Sequence, residues 1–195
     1  ADAFRLYEMF MGPLEQVKPW ATAGLHGTRR FLNRVKALFD KPVVETAADD
    51  ATLRALHKTI AKVGDDTRGL RFNTAVAAMM GLINELSRLD ELPRAVAEPF
   101  ALILAPYAPH LAEALWQQLG HQQSLAWHAW PAHDPALCAD DTVEIPVQVN
   151  GKLRAKLVVA PDTTAAELER LAWADANVAR WTADKVVAKV IVVLG

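Results

Sequence analysis

The chain has 195 residues, with 21 Lys and Arg against 23 Asp and Glu, so it has room for one large core or two modest ones and is not a uniformly basic nucleic-acid binder. One cysteine, Cys138, excludes an intrachain disulfide framework and makes a reducing compartment the default. No apolar run reaches the 18 or so residues of a membrane span, and no basic and apolar leader opens the sequence. Ala1-Asp2 carries no initiator methionine and already fits a helical pattern, so the chain is expected to be a piece of something longer.

The first two thirds read as helices. Phe4, Tyr7, Met11 and Leu14 recur at helical spacing until Gly12-Pro13 and Lys18-Pro19 interrupt them. A second helix, about 23–39, places Leu25, Thr28, Phe31, Leu32, Val35, Leu38 and Phe39 on one face and His26, Arg30 and Asn33 near the opposite centre, flanked by Arg29 and Arg34. A third, about 50–63, turns Leu53, Leu56 and Ile60 inward. Arg54, Lys58 and Lys62 stand one turn apart on another of its faces, where they repel unless an anion lies alongside. A fourth spans about 73–89, a fifth starts at Pro93 and runs to Pro106, and a sixth covers about 110–119 after the Pro106-Tyr107-Ala108-Pro109 break. These six predict an antiparallel bundle with short connections.

From His121 to Asp141 the sequence is irregular. Trp127, Trp130 and Pro131 are expected to close one end of the bundle, with Asp134 to Asp141 as a linker. The period then changes from about 3.6 to 2. Val143 to Leu157 reads as a hairpin around Val149-Asn150-Gly151. A two-residue Asn150-Gly151 turn would set Val147 against Arg154 and mix aliphatic and cationic side chains on both faces. A three-residue loop with Gly151 in the left-handed region instead pairs Val147 with Leu153, Ile145 with Ala155 and Val143 with Leu157, and is the register predicted. It gathers Gln148, Lys152, Arg154 and Lys156 on the other face with Glu144 and Pro146. Thr164-Ala165-Ala166-Glu167 fits a capping box opening a helix to about 174. Asp175 can cap a second short helix through Trp181, and 185–194 reads as a β-branched strand. The expected fold is therefore mainly α, an antiparallel helical bundle over 1–133 followed by a small α+β domain, β-β-α-α-β, over 142–195.

Charge is segregated along the chain. Eleven Lys and Arg face six acids between Lys18 and Arg71, one base faces seven acids between Asp90 and Asp141, and seven bases face six acids from Thr142 onward. A cationic row over a packed sheet suits a polyanion such as RNA. Solvated helix faces, and a strand blunted against aggregation by lysines and a proline, are the competing readings.

No constellation carries chemistry. His121, His128, His133 and Cys138 share one irregular stretch, yet their spacings match neither structural zinc nor a helical His pair. His110 reads as a helix-start histidine bonding backbone, and Asp49-Asp50 and Asp65-Asp66 as helix caps or dipole partners. Trp116, Trp173 and Trp181 read as core aromatics. There is no glycine-rich phosphate loop and no Ser-His-Asp arrangement, so no catalytic residue and no metal ligand is assigned.

Three groups of residues resemble a known family. Arg5-Leu6-Tyr7-Glu8-Met9-Phe10-Met11-Gly12-Pro13-Leu14-Glu15 resembles the segment that follows the catalytic domain in bacterial leucyl-tRNA synthetases. Arg71-Phe72-Asn73-Thr74-Ala75, Leu104-Ala105-Pro106-Tyr107-Ala108-Pro109-His110 with Glu113 and Trp116, and Trp130-Pro131 are similar to the helical anticodon-binding domain of the leucyl, valyl and isoleucyl subgroup. Val147-Gln148-Val149-Asn150-Gly151-Lys152-Leu153-Arg154 resembles the start of the small C-terminal domain of the bacterial leucyl enzymes.

The resemblance implies a parent that joins leucine to its tRNA using ATP and Mg2+, with synthetic and editing modules elsewhere in the same chain and no cofactor in this piece. It implies a monomeric, cytoplasmic protein that meets neither DNA nor membrane. The part present here would hold leucine tRNA and do no chemistry; a protein-interaction scaffold, or the equivalent part of a valyl or isoleucyl enzyme, is the alternative. Lys152 and Arg154 are candidate RNA contacts by the resemblance, and Lys156, Arg30 and Arg34 by charge and helix geometry. Two departures stand out: Ala155 replaces a usual glycine, and the sequence stops at Gly195, so the last sheet is expected to keep an unpaired edge, poorly ordered or dimerising.

Overall fold

The computed structural model describes residues 1–139, 142–183 and 186–192, which divide into two compact units, 1–138 and 139–195. In the first, α1 (Asp2–Phe10), α2 (Thr22–Phe39), α3 (Asp50–Arg68), α4 (Phe72–Leu86), α5 (Arg94–Leu104) and α6 (Pro109–Gln118) pack around one core. Leu6, Val35, Phe39, Leu56, Ile60, Met79, Ile83, Phe100 and Tyr107 are almost wholly removed from water there. Three short elements were not legible in the sequence. Val43–Val44 (β1) and Leu92–Pro93 (β2) pair in parallel, too short for any period to register. Pro135–Cys138 forms a helical turn, α7, which packs on α3, and the Asp134 N–H donates to His57 Nδ1 at 2.9 Å. Half of the expected linker therefore belongs to the helical unit, which runs past 133 to Cys138; Asp140 and Asp141 lie outside the described residues.

Helix ends are set by particular side chains. Asp49 accepts from the Thr52 N–H at 2.7 Å and starts α3 as expected of it. At α6 the cap comes from far along the chain. Asp2 accepts from the Leu111 N–H at 2.7 Å, and His110 Nδ1 lies 2.7 Å from its Oδ1, so the His110 ring meets a carboxylate rather than backbone. Burial pushes the Asp2 carboxyl up, but the bonds from the His110 ring and from the Leu111 and His110 N–H groups outweigh it and hold the group below the ordinary carboxylate range. Asp2→Ala should cost about 1–2 kcal/mol in urea unfolding of the whole chain. An unchanged midpoint would show that α6 caps itself without α1.

The α1–α2 joint rests on close approach. A Cβ on Gly24 would stand 2.2 Å from the Tyr7 ring, and buried Thr28 donates to the Ala3 carbonyl at 3.0 Å. At the α3–α4 corner Asp66 is 0% exposed. It binds Arg71 Nε at 2.9 Å, Lys62 Nζ at 2.9 Å and the Thr74 hydroxyl at 2.5 Å. Adjacent acids read as caps thus divide: Asp65 is a surface partner of Arg68, and Asp66 is the buried anchor of the Arg71-Phe72-Asn73-Thr74 motif. Lys62 is neutralised there, and neither Arg54 nor Lys58 is without a partner, so the α3 row does not stand open as a cationic face.

In the second unit β3 (Val143–Val149) and β4 (Lys152–Val159) form an antiparallel hairpin with α8 (Ala165–Ala174) and α9 (Ala176–Thr182) packed against it. The two helices begin as the caps dictate. Thr164 accepts from the Glu167 N–H, and Asp175 from those of Asn177 and Val178. The expected third strand is absent from 186–192, while Lys185, Val193 and Leu194 lie outside the described residues. As a strand that run would be apolar on one face and, apart from Lys189, on the other, and would need cover on both, yet Val186 and Ile191 are 98% and 69% exposed. Tryptophan burial also falls short of expectation. Trp116 is in the core, but Trp173 and Trp181 are only about half covered, because short helices over a two-stranded sheet shield one side of an indole.

Candidate nucleic-acid interface

The hairpin register differs from the one predicted. Asn150 and Gly151 both have positive φ, 52° and 74°, which makes a two-residue type I′ turn with Val149 opposite Lys152 and Gln148 opposite Leu153. The register then slips, so that Val147 pairs with Ala155, Ile145 with Leu157 and Val143 with Val159. Arg154 is the extra residue of a bulge. Turn chemistry set the loop, and the bulge one pair later restored the apolar face that the turn would have lost.

The bulge also breaks up the cationic row. With side chains alternating along each strand, Lys152 shares the side of Val149 while Lys156 shares that of Pro146 and Gln148. Lys156 forms an ion pair with Glu144 at 2.7 Å. Arg154 lays its guanidinium over the Trp181 ring, Cζ 3.5 Å from the centroid, with a buried Nε that has no hydrogen-bond partner. Among the described residues Lys152 alone of the three has neither an ion pair nor a ring contact. A single gripping surface on this hairpin is therefore not formed.

In the helical unit Arg30 and Arg34 are exposed on α2 but differ in surroundings. Arg34 reaches toward Ser87 Oγ at 3.5 Å, and Lys41 donates to the carbonyls of Ser87 and Leu89, so both attend the C-terminus of α4, where the helix dipole favours cations. Arg30 is on the open side. Two exposed cations of α2 that were not chosen from the sequence, Arg29 and Lys36, stand on that side too, and helical period was signal enough to find them.

Two histidines of the His121–Cys138 stretch serve aromatic packing. His121 stacks on Trp116 at 3.7 Å with its Nε2 2.9 Å from Glu98, and His128 meets Trp116 edge-on. Among the described residues no group of three His, Cys, Asp or Glu side chains is placed to hold a metal ion, and no helix is long and apolar enough to cross a membrane.

Residues 49–169, more than half of the chain, match the family described as the anticodon-binding domain of tRNA ligase. The chain belongs to that family. All of it aligns with the leucine–tRNA ligase of Rhodopirellula baltica at 46% identity and with that of Sorangium cellulosum at 47%. It spans 22% and 23% of those relatives' lengths. Among solved structures it shares its fold with the ternary complex of Agrobacterium radiobacter K84 agnB2 LeuRS with tRNA and LeuAMS, with a TM-score of 0.71 at 24% identity over 98% of this chain and 27% of that one. α1 and α2 lie before residue 49, outside the family match, yet they close the same core.

Proposed function

We propose that this chain is the tRNA-holding part of a leucine–tRNA ligase, contributing orientation and no bond-making. The observation that carries the reading is similarity to leucine–tRNA ligases along the entire chain, 46% and 47%, combined with an anticodon-binding domain match over 49–169. In this reading the parent uses ATP and Mg2+ at residues outside the chain, works as a monomer in the cytoplasm, and takes leucine tRNA as its partner. Holding the tRNA body places the acceptor end for reaction, an effect that can lower a barrier by several kcal/mol through proximity alone.

The test is a titration of the whole chain with leucine tRNA, the same tRNA with a shortened variable arm, and an unrelated tRNA, at several salt concentrations. With three to five phosphates engaged, the logarithm of affinity should fall against log salt with a slope of about three to four. Lys152→Ala should lower that slope by about one. Binding of none of the three RNAs would end the reading and leave a protein-interaction scaffold in its place, and equal, salt-independent binding of all three would end it as well.

A further inference from the structure

From the seating of α7 on α3 we infer that His57 is a proton-operated latch: the neutral ring holds α7 against the helical unit, and the charged ring lets it go, lengthening the connection to the second unit. The inference goes beyond the tRNA-holding reading and does not depend on it.

The segment after Trp130 runs back along one side of α3. His57 and Gly64 are two turns apart on that side. A Cβ on Gly64 would stand 3.3 Å from Trp130 Nε1, and His57 Nδ1 receives the Asp134 N–H at 2.9 Å. Asp134 then starts α7. Its Oδ1 accepts from the Ala136 N–H at 2.9 Å, and its carbonyl from the N–H groups of Leu137 and Cys138 at 3.1 and 3.2 Å. A helical turn of four residues does not persist in water without tertiary support. The support here is thin. No residue of α7 is buried, and only Leu137 and Cys138 are half-buried. The single bond from backbone to ring is therefore a large share of what holds the element down.

That bond tolerates one protonation state. Its donor is a backbone N–H, so Nδ1 must keep its lone pair, as it does in a neutral ring with the proton on Nε2. A proton on Nδ1 sets two hydrogens against each other. Histidine is the side chain that ordinarily changes charge between pH 5 and 8. The surrounding charges favour release. On α3 an imidazolium adds a third positive charge to the stretch that carries Arg54 and Lys58. The seated segment contributes His133, Asp134 and Cys138. The Asp134 carboxylate attracts an imidazolium, but it is engaged as the cap of α7. Burial and the Asp134 charge push the Cys138 thiol up against the pull of Lys58, so it stays uncharged in this range.

Release changes reach. α7 closes the first unit at Cys138, and β3 opens at Val143. Fully extended chain covers at most about 17 Å from Cys138 to Val143 and about 35 Å from His133. Protonation of one ring thus doubles the longest span of the connection without disturbing the core of the helical unit.

Cys138, the only cysteine of the chain, reads the latch directly. The whole chain is reacted with a pyridyl disulfide at pH 7.5 and at pH 5.5, each rate being divided by that of a small free thiol at the same pH to remove the change in thiolate fraction. Wild type should react about 5-fold faster at pH 5.5 on that corrected scale, the equivalent of one hydrogen bond. His57→Asn places a non-titrating oxygen near the position of Nδ1 and should react slowly at both pH values. His57→Ala removes the acceptor and should react fast at both. His133→Asn should switch as wild type does. Hydrogen exchange at the Leu137 and Cys138 amides should follow the thiol, while that of the α3 amides, corrected for intrinsic rate, stays unchanged. An equal corrected rate for wild type at the two pH values overturns the latch. So does acceleration that persists in His57→Asn, slow reaction of His57→Ala at pH 7.5, or a switch that disappears in His133→Asn.

Discussion

Asp66→Ala should be among the most damaging substitutions of a charged residue in the helical unit, costing about 3 kcal/mol and lowering its Tm by roughly 10 °C. The carboxylate is fully enclosed and receives bonds from Arg71, Lys62 and Thr74. Removing it takes from two cations and the Thr74 hydroxyl their shared acceptor, although the hydroxyl keeps the Arg71 carbonyl at 2.9 Å and the Arg71 guanidinium the Asp65 carbonyl. Because Lys62 and Arg71 are each about half exposed, they regain water, which keeps the cost at the lower end for a broken buried pair. Asp65 provides the contrast. Its side chain is 65% exposed beside Arg68, and Asp65→Ala should stay within about 0.5 kcal/mol. Equal effects at the two positions would show that the corner is held by packing alone.

Asp66 also gives a pH signature. Burial pushes its carboxyl up, yet the bonds from Thr74, Lys62 and Arg71 outweigh that and hold it below the ordinary value of 3.8. A depressed folded-state pKa stabilises fully above the unfolded value and is lost as pH falls through the folded one. The stability difference between wild type and Asp66→Asn should therefore be flat from about pH 7 to 5 and shrink below about pH 4. Asp2 shifts in the same direction and contributes to acid unfolding in both proteins, so the difference between them isolates Asp66.

The helices were legible because amphipathic period, Pro106-Tyr107-Ala108-Pro109 and the caps at Asp49, Thr164 and Asp175 all act locally. Asp2 capping α6 was not, since the bond joins residues 108 apart in sequence. The placement of Arg154 was missed for a related reason. Choosing between a two-residue turn and a three-residue loop leaves out the third solution, a type I′ turn with a bulge, and that solution alone satisfies both the Asn150-Gly151 preference and the apolar alternation. Charge pattern found the basic character of α2, but its division into Arg34 serving α4 and Arg29, Arg30 and Lys36 facing water needed the packing. Family membership was readable from motifs; the arrangement of cations was not.

The bulge has an energetic consequence of its own. Arg154→Ala and Trp181→Ala should each destabilise the second unit by about 2 kcal/mol, with a coupling of about 1–2 kcal/mol in a double-mutant cycle, since the guanidinium carbon sits 3.5 Å over the indole centroid and the stacking and packing of the two side chains outweigh the cost of an Nε buried without a partner. A small domain has little stability in reserve. A loss of 2 kcal/mol would cut hydrogen-exchange protection of the β3 and β4 amides about 30-fold, measured in the whole chain. Arg154→Lys should recover only part of it, because an ammonium cannot stack as a plane. For RNA the two hairpin cations should then separate. Lys152→Ala lowers the salt slope by about one and leaves exchange unchanged, while Arg154→Ala raises exchange and leaves the slope of the folded population near wild type. The reverse pattern, with exchange untouched and the slope reduced at Arg154, would mean that the guanidinium leaves the ring to meet phosphate.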